Sequence, residues 1–455
     1  MKTSFDHAKS AARFIADKER AHWHDQALWF VRQKRDKAVK SIPEMEELRR
    51  AAEEIKSHTM EYLGYYLELF EERANANGIE VYWASDASEH NAIVAKLLEE
   101  YGAKRVVKSK SMLTEECGLN PYLENLGIEV TDTDLGERIV QLAKDHPSHI
   151  VLPAIHLKKE DVSKIFSKYL HTDPAKSDPE YLTHAARHHL RRKFKEADAA
   201  VTGVNFALAK EGAFVVCTNE GNADLGAALP DLHIACMGIE KVIPSAKELG
   251  VFTRLLARSA TGQAITTYTS HFRKPKPGGR VCVVIVDNGR SGLLEGENSK
   301  TLSCIRCGAC MNTCPVYRRS GGHSYGYVIP GPIGSVLAGA KDVSTYASLP
   351  FACTLCASCD NVCPVKIDLH ERLRHERKEA IKVSKYTSKR VFLHMAAWVL
   401  QRPGLYSALM ATMRFVLPHI PRSILYNRFN IWGREREMPM PAKKSFKDLY
   451  NERTR

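Results

Sequence analysis

The chain lacks the signatures of nucleotide binding and of membrane insertion. No two glycines are separated by a single residue, which excludes the G-x-G-x-x-G dinucleotide fingerprint, and no G-x-x-x-x-G spacing is followed by lysine, which excludes a Walker loop. The first ten residues become charged at once and contain no apolar core, so we expect no secretory signal and a cytoplasmic protein. The apolar stretch at residues 391–400 is about half as long as a membrane-spanning helix requires.

Excess positive charge is confined to the C-terminal fifth of the chain. The net charge is +13, and residues 366–455 contain 20 lysines and arginines against 8 acidic residues, which accounts for +12 of it. The first 365 residues are therefore close to neutral. Because the basicity belongs to one tail and not to the body of the protein, we expect no nucleic-acid partner.

Eight of the twelve cysteines form two runs of identical spacing, C-x2-C-x2-C-x3-C-P. Zinc modules separate their cysteine pairs by a longer loop, whereas this compact run is typical of [4Fe–4S] clusters, in which the fourth cysteine ligates the other cluster. We therefore expect two [4Fe–4S] clusters. One is assigned to Cys304, Cys307, Cys310 and Cys363, and the second to Cys353, Cys356, Cys359 and Cys314.

Short apolar strands alternating with helices fill the middle of the chain and predict a mainly parallel α/β sheet with helices on both faces. The strands are expected at residues 79–84, 105–108, 128–131, 149–153, 199–203, 214–218, 233–238 and 281–287. The four isolated cysteines are expected to act as small core residues: Cys117, Cys217, Cys236 and Cys282. The predicted domains are N-terminal helices (1–78), an α/β domain (79–300), a mainly α-helical, ferredoxin-like two-cluster domain (301–385) and a basic tail (386–455).

The tail combines two apolar stretches, residues 391–400 and 405–417, with scattered arginines. One interpretation is a set of helices that pack on the α/β domain or on a partner subunit. The alternative is a membrane-surface helix that brings the clusters near a quinone or cytochrome, because apolar residues interleaved with arginines suit an anionic lipid surface. The arginines are Arg402, Arg414, Arg422, Arg428, Arg434 and Arg436.

Several short motifs, spread over essentially the whole chain, resemble those of the lactate utilisation protein B family. They lie at residues 107–116, 120–123, 134–137, 153–156, 218–222, 233–241, 260–263 and 266–268, together with Pro244 and both cysteine runs. The resemblance implies that the α/β part is a LUD domain. Its open sheet would be similar to the folds of sugar-phosphate isomerases and coenzyme A transferases.

The same resemblance implies a function in electron transfer. Members of this family are iron–sulfur subunits of a three-protein bacterial complex that oxidises L-lactate to pyruvate. The partners would be a cysteine-rich-motif subunit and a second LUD-domain subunit, and the electrons would pass to a respiratory acceptor, a quinone or a cytochrome. The chain would then work in the cytoplasm or at the inner face of the cell membrane, and it would not be catalytic alone.

Glu220 supports an alternative in which the chain itself carries a hydroxy-acid dehydrogenase site. It follows an apolar run and should lie at the carboxyl end of a strand, where open α/β sheets bind ligands. Lactate oxidation needs a base, a cation for the carboxylate and a two-electron acceptor, and the chain supplies the first two. A tight turn whose side chains bind its own backbone explains this loop equally well. The residues that could converge on Glu220 are Lys110, Glu116, Asp134, Glu137, His156, His233, Glu240 and Lys241.

Overall fold

The structure, a computed structural model, describes residues 5–383, 387–426, 437 and 439–454. It divides into two compact units, Met1–Val383 and Ser384–Arg455. The first unit begins with four helices, of which the second and third are long. They are α1 (His7–Ala16), α2 (Lys18–Lys40), α3 (Met45–Glu61) and α4 (Leu63–Ala76).

The strands of this unit form two sheets. They are β1 (Ile79–Ala84), β2 (Arg105–Lys108), β3 (Glu129–Asp132), β4 (Ala199–Gly203), β5 (Phe206–Leu208), β6 (Ala213–Thr218), β7 (Leu232–Gly238), β8 (Val242–Ile243), β9 (Tyr268–Phe272) and β10 (Arg280–Val286). The larger sheet is parallel throughout, in the order β1-β10-β7-β4-β2-β3. The smaller sheet, β8-β5-β6-β9, contains two antiparallel pairs and one parallel pair.

Burial on both faces explains why the central strands are almost wholly apolar. All seven residues of β7 are buried, and Val283 of β10 lies between Val81 of β1 and Ala235 of β7. Helices cover the faces of the sheet, as parallel strands require. The helices that contact this sheet are α4, α5 (Ala87–Glu100), α6 (Met112–Cys117), α7 (Leu119–Asn125), α8 (Leu135–Ala143), α10 (Pro179–Glu196) and α11 (Asn222–Ala228). Two further helices lie farther out: α9 (Lys159–Leu170) packs on α8 and α10, and α12 (Ala246–Ala260) packs on α3 and the smaller sheet. The predicted parallel α/β fold is confirmed.

Two strand predictions need correction. Residues 149–153 form a turn and no strand, because the N–H groups of Val151 and Leu152 both donate to Nδ1 of the buried His149. Residues 214–218 do form a strand, β6, but it lies in the smaller sheet, where it runs antiparallel to β5 and β9. The smaller sheet as a whole was not predicted.

The cysteine-rich region is mainly helical and shares a hydrophobic core with the N-terminal helices and α12. Leu28 of α2, Met45 of α3 and Phe252 of α12 belong to the same buried cluster as Met311 and Tyr317. The helices of the region are α13 (Ala309–Thr313), α14 (Pro315–Ser320), α15 (Gly331–Lys341), α16 (Val343–Tyr346), α17 (Ser358–Val362) and α18 (Leu369–Val383). Short 3-10 helices lie at Ile239–Lys241, Ser291–Leu293, Ser299–Ser303, Gly322–Tyr325 and Leu349–Phe351.

The described residues of the second unit form four helices and one 3-10 turn. They are α19 (Thr387–Leu400), α20 (Pro403–Val416), the turn at Leu417–His419, α21 (Arg422–Leu425) and α22 (Phe446–Arg453). Among the described residues, no helix combines the length and apolarity needed to cross a membrane. Three arginines of the predicted basic tail, Arg428, Arg434 and Arg436, lie outside the described residues.

Candidate metal centres and an adjoining cavity

The two cysteine runs fold into matching loops. Arg306 and Leu355, each two residues beyond the first cysteine of its run, have φ of +59° and +56°. Residues with a Cβ adopt this left-handed backbone rarely. At both positions the N–H donates to the sulfur of the first cysteine, over 3.4 Å to Cys304 and 3.3 Å to Cys353. The third cysteine of each run lies on one of two equally short helices, α13 and α17.

The last cysteines of the two runs also match. Cys314 and Cys363 are both extended, with φ of −69° and −66°, and each is followed by proline. Their sulfurs accept hydrogen bonds from the N–H groups of Tyr317, at 3.5 Å, and Ile367, at 3.3 Å. Backbone hydrogen bonds to sulfur stabilise negative charge there, and they are one of the means by which a protein sets the reduction potential of an iron–sulfur cluster.

The fold brings the last cysteine of each run to the other run. Burial is the largest of the causes that raise the pKa of the Cys307 thiol, and the neighbouring Cys363 and Cys304 raise it further. Burial likewise raises the pKa of Cys314, to about 11, with Cys353 and Cys356 as the neighbouring thiols that contribute. Thiols that crowd together in an apolar environment resist ionisation unless a cation holds them, which suits a metal centre.

The spread of the sulfurs favours clusters over single zinc ions. Four sulfurs at 2.3 Å from a tetrahedral zinc lie about 3.8 Å from one another. The eight sulfurs all belong to the described residues, and no three of them lie within 4.8 Å of one another. A cubane carries its cysteines on four separate irons and so needs a wider spacing. Most of the eight are buried, and only Cys356 is exposed.

A cavity of about 490 Å³ adjoins the first cysteine run. It lies at the carboxyl ends of the parallel strands, as expected for a ligand site in an open sheet. Loops after β2, β3, β7 and β10 contribute Lys110, Asp134, Lys241 and Arg290, and Cys307 belongs to the same wall. The surface of the cavity is mostly apolar.

The structure brings six of the nine predicted site residues to this cavity. They are Lys110, Glu116, Asp134, Glu220, Glu240 and Lys241. The other three lie elsewhere: Glu137 is buried beside Lys108, His156 contacts Ser148 and Asp145, and His233 contacts Thr202. Their expected convergence on Glu220 is therefore wrong.

Glu220 lies at the mouth of the cavity, in the loop between β6 and α11. Desolvation of its carboxyl group and the nearby Asp134 raise the pKa of Glu220 to about 7, although Lys110 and the Leu135 N–H oppose the shift. Lys110 is itself paired with Asp134 over 3.0 Å. A carboxyl group with a pKa near neutrality can serve as a general base.

Two arginines that were not predicted from the sequence form part of the cavity wall. Arg290 contacts Glu240 at 2.9 Å and Glu116 at 2.8 Å, and Arg306 lies 3.8 Å from Glu240. Burial alone would raise the pKa of Glu240, but Arg290, Lys241 and Arg306 lower it to about 2. The sequence did offer a signal, since Arg290 follows a strand end and Arg306 lies inside the first cysteine run.

Lys241 is the cation of this wall that remains available. Unlike Arg290, it makes no hydrogen bond and no ion pair within 4.0 Å to any residue in the described part of the chain. Burial lowers its pKa, while Glu240 and Cys304 act in the opposite direction. An ammonium group that borders a cavity without a polar partner is suited to bind an anionic ligand.

Comparison with known proteins agrees with this architecture. A LUD domain model matches residues 67–291, and a 4Fe-4S dicluster domain model matches residues 300–367. The chain is therefore a LUD-domain iron–sulfur protein. A third model, lactate utilisation protein B, C-terminal, matches residues 372–455.

Relatives extend the match to nearly the whole chain. Lactate utilization protein B of Macrococcus caseolyticus is 40% identical, over 93% of this chain and 92% of that protein. The Anoxybacillus flavithermus protein of the same name is 42% identical over the same shares. The chain belongs to the lactate utilization protein B family. A duf162 family structure from Deinococcus radiodurans aligns with 49% of this chain and 98% of that chain, at 15% identity and a TM-score of 0.28.

Proposed function

We propose that this chain is the iron–sulfur electron-transfer subunit of a complex that oxidises L-lactate to pyruvate. Family membership supports a role in lactate utilisation by iron–sulfur electron transfer. The proposed partners are a cysteine-rich-motif subunit and a second LUD-domain subunit. A quinone or a cytochrome is the proposed final acceptor.

The observation that carries this proposal is that the last cysteine of each run lies near the first two cysteines of the other run. Cys363 neighbours Cys304 and Cys307, and Cys314 neighbours Cys353 and Cys356. Each set would hold one [4Fe–4S] cluster, which takes up and releases one electron at a time. With four cysteines for four irons, neither cluster would have an open position for a substrate, so the sets suit relay.

The positions of the two sets suggest a direction for the electrons. Cys307, of the first set, lines the cavity of the LUD domain, whereas Cys356, of the second set, is exposed. Cys359 of the second set lies close enough to Cys310 of the first to contribute to its raised pKa, although burial is the largest cause. We propose that electrons enter near Cys307 and leave to a partner protein near Cys356.

The cysteine assignment is tested by single substitutions in the anaerobically reconstituted protein. We expect about eight irons per chain, as two cubanes require, and two electron paramagnetic resonance signals after reduction. Cys304→Ser and Cys363→Ser should alter the same signal, and Cys314→Ser the other. The control is Cys217→Ser, a cysteine outside both runs, which should keep both signals. If Cys363→Ser alters the same signal as Cys314→Ser, the assignment is wrong.

The cavity favours a second candidate function, a hydroxy-acid dehydrogenase site in this chain. Lys241 would bind the substrate carboxylate, and Glu220, with its raised pKa, would accept the hydroxyl proton. The hydrogen on the α carbon would leave with two electrons to an acceptor outside this chain, which the dye supplies in the assay below. If so, the purified single subunit with its clusters should reduce a dye with L-lactate, and Lys241→Met and Glu220→Gln should abolish that activity. Undiminished lactate oxidation by the complex with Glu220→Gln would exclude this loop.

The second unit is proposed as a docking element. Its first two helices expose large apolar side chains, among them Phe392, Leu393 and Trp398 of α19 and Leu409 and Phe415 of α20. We propose that they pack on a partner subunit, with an anionic membrane surface as the alternative. Chain truncated after residue 383 should fail to bind the partner subunits while keeping its iron content. Flotation of full-length and truncated chains with anionic liposomes distinguishes the alternative, which requires the tail for flotation.

A further inference from the structure

A group of metal-binding side chains lies outside the cysteine runs and the cavity. Asp145, His156 and His323 each offer a ligand atom, and these three atoms lie within 4.8 Å of one another. Asp145 and His156 flank the turn that replaces the predicted strand at 149–153. His323 belongs to the 3-10 helix Gly322–Tyr325, in the insert between the two cysteine runs. We infer that the three residues bind a divalent metal ion with the chemistry of zinc, which joins the LUD domain to the cluster region.

Ser148 lies beside Nδ1 of His156, and Nε2 of the same ring faces Asp145. The Ser148 hydroxyl lies 3.2 Å from the carbonyl oxygen of Pro153 and 2.7 Å from Nδ1 of His156. When the hydroxyl donates to the carbonyl, it accepts a hydrogen bond from Nδ1–H. In the neutral ring, Nε2 then carries a lone pair, and it faces the Asp145 carboxylate at 3.2 Å. Two acceptors do not attract each other, so a proton or a cation must lie between them. Metal-binding histidines usually have such a hydrogen bond from their second nitrogen.

The second imidazole favours the cation over the proton. The ring centroid of His323 is 4.5 Å from that of His156, and its Nε2 is 3.9 Å from Asp145. Nitrogen and oxygen ligands of a tetrahedral zinc, at about 2.0–2.2 Å from the metal, lie roughly 3.4 Å apart. His156 and Asp145 already have this spacing, and His323 needs only a small movement.

His323 has one competing contact, since its Nε2 donates to the carbonyl of His146 at 2.7 Å. Binding through Nε2 would replace this hydrogen bond, so the site must gain more from the metal than it loses there. Contacts of the Ser148 carbonyl fix the positions of the segments that carry the three ligands. Tyr317 donates its hydroxyl to the carbonyl of Ser148 at 2.6 Å, and a Cβ on Gly322 would lie 1.8 Å from that same oxygen. The turn at Ser148 and the 3-10 helix that begins at Gly322 are therefore in direct contact.

The test uses full-length protein whose clusters have been reconstituted, so that the cysteines are occupied. The protein is equilibrated with zinc chloride, freed of loosely bound metal by gel filtration and analysed for zinc and iron. Asp145→Asn and His323→Gln each remove one ligand at an exposed position. The matched control is His146→Gln, because this neighbouring histidine contributes only backbone groups to the contacts described.

We expect about one zinc per chain in the unaltered protein and in His146→Gln, and little or none in Asp145→Asn and His323→Gln, at equal iron content. Zinc should also raise the midpoint of thermal unfolding in the first two proteins only. Unaltered protein that retains no zinc would overturn the inference. So would zinc that both ligand substitutions leave in place.

Discussion

Arg290 is expected to be essential for the stability of the cavity wall, because it neutralises two buried carboxylates. It contacts Glu240 at 2.9 Å and Glu116 at 2.8 Å, and all three side chains are at most 8% exposed. The pKa of Glu240 is lowered from 4.5 to about 2. At about 1.4 kcal/mol per pKa unit, this lowering of the pKa corresponds to roughly 3 kcal/mol of stability. Arg290 is the largest favourable contributor to it.

The sign of this contribution follows from the direction of the shift. A carboxylate whose pKa is lowered on folding stabilises the protein above its unfolded pKa of 4.5, and this stabilisation is lost as the pH falls towards 2. At pH 7 it is therefore fully present. In Arg290→Met the carboxylates remain buried without their main partner, and removing one member of a buried ion pair typically costs about 3–5 kcal/mol. We expect a loss of this size.

The assay is urea unfolding of the cluster-loaded protein at pH 7, followed by circular dichroism. Arg280→Met is the matched control, since Arg280 also pairs with two carboxylates, Glu80 and Glu100, but all three are 28–44% exposed. Exposed pairs contribute about 0–1 kcal/mol. Equal losses in the two variants would refute the reasoning from burial.

Three further predictions follow from the same structure. Gly322→Ala should destabilise the protein by about 1–3 kcal/mol or more, since the added Cβ would lie 1.8 Å from the carbonyl oxygen of Ser148. Gly250→Ala in α12, where an added Cβ meets nothing within 4 Å, should stabilise the protein by about 0.5–1 kcal/mol. Thermal unfolding measures both changes. Because the pKa of Glu220 is raised to about 7, stability should fall as the pH rises from 5 to 8, by no more than about 1 kcal/mol at this exposed position. Glu220→Gln should remove that fall, and an unchanged pH profile of the melting temperature would contradict it. Lys241→Met should weaken binding of pyruvate or another small carboxylate at least tenfold in calorimetry, whereas exposed Lys210→Met should not.

Local patterns predicted the central strands well, because burial on both faces leaves few polar residues in them. β2 and β4 have the bounds expected from the apolar runs, and so does β1 at the edge of the sheet. The same signal misled at residues 149–153, where Ile150 and Val151 are apolar because they pack against Gly308 of the first cysteine loop. That contact joins distant parts of the chain and leaves no periodic pattern.

The smaller sheet was missed for a related reason. β5 and β8 have three and two residues, which is too short for an alternating pattern to appear. The apolar run of β6 indicated a strand but could not show which sheet it joins. Among the site residues, the cysteine spacing is a local property and could be read directly. The cavity is assembled from several strand ends, so the contributions of Arg290 and Arg306 depend on the fold.

The most direct test of the proposed relay is the redox response of this chain to L-lactate, with and without its proposed partners. Anaerobic protein with oxidised clusters is mixed with L-lactate, and the reduced clusters are quantified by electron paramagnetic resonance. The account predicts that both clusters stay oxidised with this chain alone and become reduced when the two partner subunits are added. Reduction by L-lactate in the absence of partners would contradict it and place the oxidation of the substrate within this chain.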